Sequence, residues 1–199
     1  MNQDTIFILL ALFSYICAST PFGFLIAKAK GVDIRKTGSG NVGGTNILRT
    51  FGFSFFLLVV ILDIAKVATP VLLGKYLLLT DWQIVLISLL AIFGNMFSFW
   101  LGFKGGKAVS AVFAIFACLV GFQNALMFLF VWGIMLYVLK IMSLTNLIMC
   151  LIIPIAIWQV TQSIPFVILG IIFVPVIWWA HRENIKRLLK GSEPKIIRF

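Results

Sequence analysis

Long apolar runs broken by short polar stretches leave this chain few ways to fold. A helix needs roughly 17 to 25 apolar residues to cross a hydrocarbon core of ~30 Å. Such runs can be drawn seven times, at about residues 4–28, 51–73, 82–101, 107–121, 124–139, 144–160 and 164–180. The expected fold class is therefore an all-α membrane protein of seven transmembrane helices. With 62% hydrophobic and 11% charged residues among 199, no stretch remains for a soluble domain. Residues 1–199 are expected to form a single integral membrane domain.

Basic residues set the orientation, because cytoplasmic loops are enriched in Lys and Arg. With the N-terminus outside, seven spans put fourteen of the sixteen Lys and Arg inside, leaving Lys66 within span two and Lys75 outside. The expectation is N-terminus outside and C-terminus cytoplasmic. The first run has only Asp4 before it, with no positive segment, and is read as a retained helix. The net charge of +10 follows from this topology and from attraction to anionic lipid headgroups; nucleic acid is not an expected partner. Cys17, Cys118 and Cys150 lie in apolar runs without metal spacing and are read as packing residues. One histidine and six scattered acids build no ligand cluster, so neither a metal nor another cofactor is expected.

Two glycine-rich polar segments stand out, GSGNVGGTN at residues 38–46 and FKGGK at 103–107. The topology brings both to the cytoplasmic face. Backbone N–H groups, hydroxyls and amides beside Arg49, Lys104 and Lys107 are what a phosphate site requires. An ordinary interhelical loop and topology-determining lysines account for the same residues equally well. A nucleotide P-loop is excluded, since Leu101 stands where its first glycine would be and Ala108 follows Lys107. FKGGK leads toward span four, where free N–H groups at a helix start would form an anion cradle. The composition of residues 31–52 implies irregular backbone.

Asp63 and Lys66 lie three residues apart in span two, on one helix face. A mutual ion pair that fixes helix packing is the leading reading, and substrate contact the lesser one. Ser143, Thr145 and Asn146 beside Lys140 read either as a cap for span six or as part of a site. His181 ends span seven at the cytoplasmic face, beside Arg182 and Asn184, where an imidazole can exchange protons near neutral pH. Residues 182–199 have the pattern of a short basic amphipathic tail lying on the inner leaflet.

Four segments in order, GSGNVGGTN with the downstream Arg49, DIAK, GFKGGK and HRENIKRLLKG, closely resemble the bacterial acyl-phosphate-dependent glycerol-3-phosphate acyltransferases. The resemblance implies a seven-helix inner-membrane enzyme with a cytoplasmic site. Its reaction would move an acyl group from acyl phosphate to the 1-hydroxyl of glycerol 3-phosphate, giving lysophosphatidic acid and phosphate in phospholipid biosynthesis. The resemblance also implies functional coupling to the enzyme that makes acyl phosphate.

Carried onto this sequence, the resemblance points to Ser39, Lys104 and His181 as catalytic. Arg49 and Lys104 would hold substrate phosphates, assisted by Lys107. Gly38, Ser39, Gly40, Asn41, Gly43, Thr45 and Asn46 would orient the acyl phosphate, with Gly105 and Gly106 shaping the second segment. Ser143, His181 and Asn184 would complete the pocket, and the proton from the attacking hydroxyl would go to His181 or to the substrate's own phosphate. The chain departs from the family pattern at Asn95, where histidine is usual. It departs also at residues 108–111, where Gly-Val-Ala-Thr is usual, at Asn146 for serine, at Lys140 for arginine and at Gly44 for alanine. A divergent paralogue that binds phosphorylated lipid precursors is the main alternative. A transporter for a phosphorylated solute is disfavoured, because the polar motifs cluster at one face instead of the midplane.

Overall fold

The computed structural model of the chain describes residues 2–196, and within them the regular structure is helical. The helices are α1 Gln3–Ser19, α2 Phe22–Ala29, α3 Gly44–Phe51, α4 Phe53–Tyr76, α5 Asp81–Met96, α6 Val109–Val120, α7 Phe122–Leu139, α8 Met142–Thr161, α9 Ile164–Ala180 and α10 Arg182–Leu189. They form two compact units, one ending at Ile115 and one beginning at Phe116.

Several ends follow from local chemistry. Asn2 caps α1 by accepting from the Thr5 N–H at 2.8 Å, and Thr80 with Gln83 forms a capping box at α5. The single helix expected over 4–28 is broken after Ser19, because Pro21 has no N–H to continue the ladder. The irregular backbone expected over 31–52 is helical from Gly44 to Phe51, where Ile47 docks into an apolar cluster. Span four is the largest departure. α6 has 12 residues, which reach ~18 Å at 1.5 Å each, because the backbone is left-handed at Ala108 before it and at Gly121 after it.

Five helical stretches among the described residues are long and apolar enough to cross a membrane, counting α1 with α2 as one, and a sixth is reached if α9 and its continuation α10 form one bent span. Large side chains point outward, as at Leu12 (58% exposed), Ile155 (60%) and Phe130 (69%). Surface of that kind is untenable in water and ordinary against lipid.

In the first unit α1 packs along α5, and hydroxyls stitch the pair. Ser14 Oγ donates to the Ile87 carbonyl at 2.8 Å, Tyr15 OH to Phe97 at 3.0 Å, and Ser98 Oγ to Ser19 at 2.6 Å. In the second unit α8 packs on α9, where a Cβ at Gly170 would come within 3.0 Å of Pro154 Cα. The Trp132 indole of α7 donates to Asn146 Oδ1 of α8 at 2.9 Å. Such interhelical bonds are each worth roughly 0.6 kcal/mol in a bilayer.

Candidate active site

The first glycine-rich segment is folded around one amide. Asn46, 1% exposed on α3, donates through Nδ2 to the carbonyls of Ile34 and Thr37, both at 3.0 Å, and accepts the Ser39 N–H on Oδ1 at 3.0 Å. Gly38 at φ +54° lets the chain pass, since a Cβ there would lie 2.3 Å from Asn46 Oδ1. The amide expected to touch substrate thus shapes the loop from inside.

That arrangement leaves Gly38, Ser39 and Gly40 on the surface. Asn41 Oδ1 accepts the Gly43 N–H at 2.8 Å, directing the chain into α3. Gly43 starts α3 without a side-chain cap, so the first-turn N–H groups around Gly44 and Thr45 carry the positive end of the helix. Arg49 is exposed one turn further on. Before the loop, Asp33 accepts from Arg35 Nε and Nη2 at 2.9 and 2.8 Å, bonds that hold its carboxyl down to about 2.

The second segment has a different construction from the expected cradle. The Gly105 N–H donates to the Met96 carbonyl and the Gly106 N–H to the Asn95 carbonyl, both at 2.9 Å. Carbonyls at the end of a helix have no intrahelical donor, and here the two glycines supply it for α5. A Cβ on Gly105 would fall 2.1 Å from Asn95 O, so glycine is needed there for close approach. The segment is bracketed by left-handed Phe103 (φ +62°) and Ala108 (φ +60°), with Lys104 exposed. Both glycine segments rise from one cluster, in which Val42 of the first and Leu101 before the second pack with Ala27, Ile34, Ile47 and Val59.

Within α4 the Lys66 ammonium donates to Asp63 Oδ1 at 2.7 Å, with both side chains nearly buried. It also donates to the Thr20 carbonyl at 2.7 Å, a partner outside its own helix that the i,i+3 spacing does not reveal.

In the second unit the polar side chains converge on Glu193. One carboxylate oxygen accepts from Ser143 Oγ at 2.8 Å and from Asn184 Nδ2 at 2.5 Å, while the other accepts from Arg187 Nε at 2.7 Å. Burial pushes this carboxyl up, but the three hydrogen bonds outweigh it and hold the group below its usual value. Ser143 therefore does not cap α8, whose N-cap is Ile141 with no side-chain bond. Thr145 turns back to the Ile141 carbonyl at 3.0 Å. Glu193 is the residue that sequence reasoning misses; its one signal is being the sole acid among the cations after Glu183.

His181 lies at the corner where α9 gives way to α10 at 63°, with 3% of its surface exposed. Its Nδ1 is 2.8 Å from the Ile177 carbonyl. A carbonyl only accepts, so Nδ1 carries the proton and Nε2 is the basic nitrogen of the neutral ring.

A family model described as glycerol-3-phosphate acyltransferase matches residues 8–191. The chain belongs to this family. Among relatives named glycerol-3-phosphate acyltransferase, that of Prochlorococcus marinus (strain NATL1A) is 40% identical, with 95% of this chain and 98% of the relative covered. That of Agrobacterium fabrum is 36% identical over 94% of this chain and 91% of the relative. The fold resembles the crystal structure of PlsY (YgiH), an integral membrane glycerol 3-phosphate acyltransferase, in its glycerol 3-phosphate form. The TM-score is 0.90 at 33% identity, with 95% of this chain and 94% of that one covered. The lysophosphatidic acid form of PlsY gives 0.86 at 34% identity, with the same coverage. This chain is thus an integral membrane acyltransferase; of the residues expected at its site, Ser39, Arg49 and Lys104 lie in the first unit and Ser143, His181 and Asn184 in the second.

Proposed function

We propose that this acyltransferase moves an acyl group from acyl phosphate to the 1-hydroxyl of glycerol 3-phosphate, forming lysophosphatidic acid and releasing phosphate. The hydroxyl oxygen attacks the acyl carbonyl carbon and the bond from that carbon to the phosphate oxygen breaks. The hydroxyl proton goes to Nε2 of His181 or to the substrate's phosphate. A mixed anhydride has a good leaving group, so the protein need only align two anions and stabilise the charge that develops. Arg49 and Lys104 hold substrate phosphates, assisted by Lys107. Ser39, Asn41, Thr45 and the start of α3 orient the acyl phosphate, within the loop that Gly38, Gly40, Gly43 and Asn46 shape. Gly105 and Gly106 fix the segment carrying both lysines, and Ser143, His181 and Asn184 complete the set.

The observation that carries this reading is the pair of cation-bearing glycine segments rising from one apolar cluster in a chain of this family. The reading includes seven crossings, formed by α1 with α2, then α4, α5, α6, α7, α8 and α9. The N-terminus is outside, and the C-terminus and site are on the cytoplasmic side of the bacterial inner membrane. The whole chain acts as one integral domain whose basic tail is residues 182–199, of which 197–199 lie outside the described residues. Acyl phosphate reaches it from the enzyme that makes that donor. To test the activity, the purified protein in lipid is given long-chain acyl phosphate and radiolabelled glycerol 3-phosphate. Labelled lysophosphatidic acid is expected, with large losses for Ser39→Ala and His181→Ala. A folded preparation that makes none overturns the proposal.

A further inference from the structure

The ion pair in α4 has more to do than neutralise itself. At the α1–α2 break, Pro21 leaves backbone carbonyls that a continuous helix would have satisfied. Ser19 receives the Ser98 hydroxyl at 2.6 Å, while Thr20, which takes the Phe22 N–H at 3.2 Å, receives the Lys66 ammonium at 2.7 Å as its shorter bond. Asp63, 2.7 Å from the same ammonium, holds Lys66 from the other side. The Phe22 ring, the first residue of α2, lies 5.7 Å from that ammonium. Lys66 therefore contacts both sides of the joint from which α2 departs.

α2 in turn bears on the first glycine segment. A Cβ at Gly23 would lie 2.1 Å from the Val42 carbonyl, so the α2 backbone is pressed against the middle of that loop. Ala27, one turn further along α2, is fully buried against Val42, Ile34 and Ile47. A displaced start of α2 must move Val42 or open this contact, since close-packed elements transmit such shifts without absorbing them.

We infer that Lys66 is a positioning residue for acyl transfer. By holding the Thr20 carbonyl it sets where α2 begins and, through the Gly23–Val42 contact, where the loop carrying Ser39 stands. The inference rests on the proposed role of that loop in the reaction. Asp63 keeps the ammonium in place, and neither residue touches substrate.

The test compares wild type, Lys66→Met, Lys66→Arg and the double variant Asp63→Asn/Lys66→Met. All are purified in lipid and assayed with acyl phosphate and glycerol 3-phosphate, alongside thermal melting and amide hydrogen exchange over residues 38–46. The double variant leaves no lone charge, so its melting temperature is expected near that of wild type. Its Thr20 carbonyl has still lost the ammonium and keeps only the weaker Phe22 N–H at 3.2 Å. Its kcat/KM for acyl phosphate is expected to fall about 10²-fold, as for a misplacement of ~1 Å, with faster exchange at 38–46. Lys66→Met should show the same loss of kcat/KM together with a lower melting temperature, whereas Lys66→Arg, which keeps a charged donor, should retain activity and slow exchange. A double variant with wild-type kcat/KM and exchange would show that Lys66 only neutralises Asp63 and would overturn the inference. A folded Lys66→Arg as impaired as Lys66→Met would also overturn it. Inactive wild type would instead defeat the proposed reaction, leaving hydrogen exchange to report on the coupling from Lys66 to the loop.

Discussion

Asn184 donates its side-chain amide to Glu193 at 2.5 Å, and the same carboxylate oxygen takes the Ser143 hydroxyl at 2.8 Å. Two side chains proposed to meet substrate are thus held by an acid nine residues beyond one and fifty beyond the other. Glu193→Ala leaves these donors and Arg187 without their shared acceptor. Breaking a buried charged network of this kind costs about 3 kcal/mol. The expected outcome is a lower melting temperature and a large loss of kcat, measured on the purified variant in lipid.

Acid should loosen the same contact. The folded pKa of Glu193 is depressed, so its contribution to stability is fully present above the unfolded value, about 4.3, and is lost as pH falls through the folded one. Hydrogen exchange across residues 182–196 should accelerate below that range in wild type. In Glu193→Gln, which has no such carboxyl, this part of the pH dependence should be missing.

Ala108 is buried at φ +60°, a conformation that costs an L-residue about 1 kcal/mol or more. Glycine carries no such cost, which gives a physical sense to the glycine usual at this position in the family. Ala108→Gly is expected to raise stability by about 1 kcal/mol, less what glycine gives up in the unfolded chain. Thermal unfolding of the variant in lipid or detergent reads the difference.

Gly105→Ala should act in the opposite sense. Its Cβ would lie 2.1 Å from the Asn95 carbonyl, so the segment must lift from the end of α5 and carry Lys104 and Lys107 with it. Activity is expected to fall about 10²-fold, with a smaller effect on melting. Steady-state kinetics in both substrates checks this.

Asn46→Asp preserves shape but turns an oxygen toward the carbonyls of Ile34 and Thr37, which now receive two N–H bonds. Loss of two buried hydrogen bonds with unsatisfied acceptors costs roughly 2 to 4 kcal/mol. A marked drop in melting temperature is expected, together with faster exchange at residues 34–46.

Apolar periodicity makes most of the helices legible, and α4, α5, α7, α8 and α9 fall within a few residues of their expected runs. Local chemistry overrides it elsewhere. Pro21 breaks a run that reads as continuous, and α3 is hidden because Gly, Thr and Asn resemble a turn until Ile47 finds its cluster. In the glycine segments, residue types point to phosphate chemistry, but sequence does not tell a residue that faces substrate from one whose polar groups are bonded within the loop. Asn46, Gly105 and Gly106 belong to the second kind. Glu193 and the Thr20 carbonyl escape notice because their partners are distant in sequence, and no spacing rule reaches that far.

The backbone bond from the Ile196 N–H to the Lys140 carbonyl, at 2.8 Å, has a consequence for the order of synthesis. Ser143, His181 and Asn184 are all made before the residues that tie α8 to α10. A nascent chain halted after Lys190 carries every side chain proposed for chemistry, yet neither Glu193 nor the strand of backbone that follows it. Such a chain has its proposed reagents without their alignment, so competence is expected only once Glu193 has been made and not when α9 and α10 are complete.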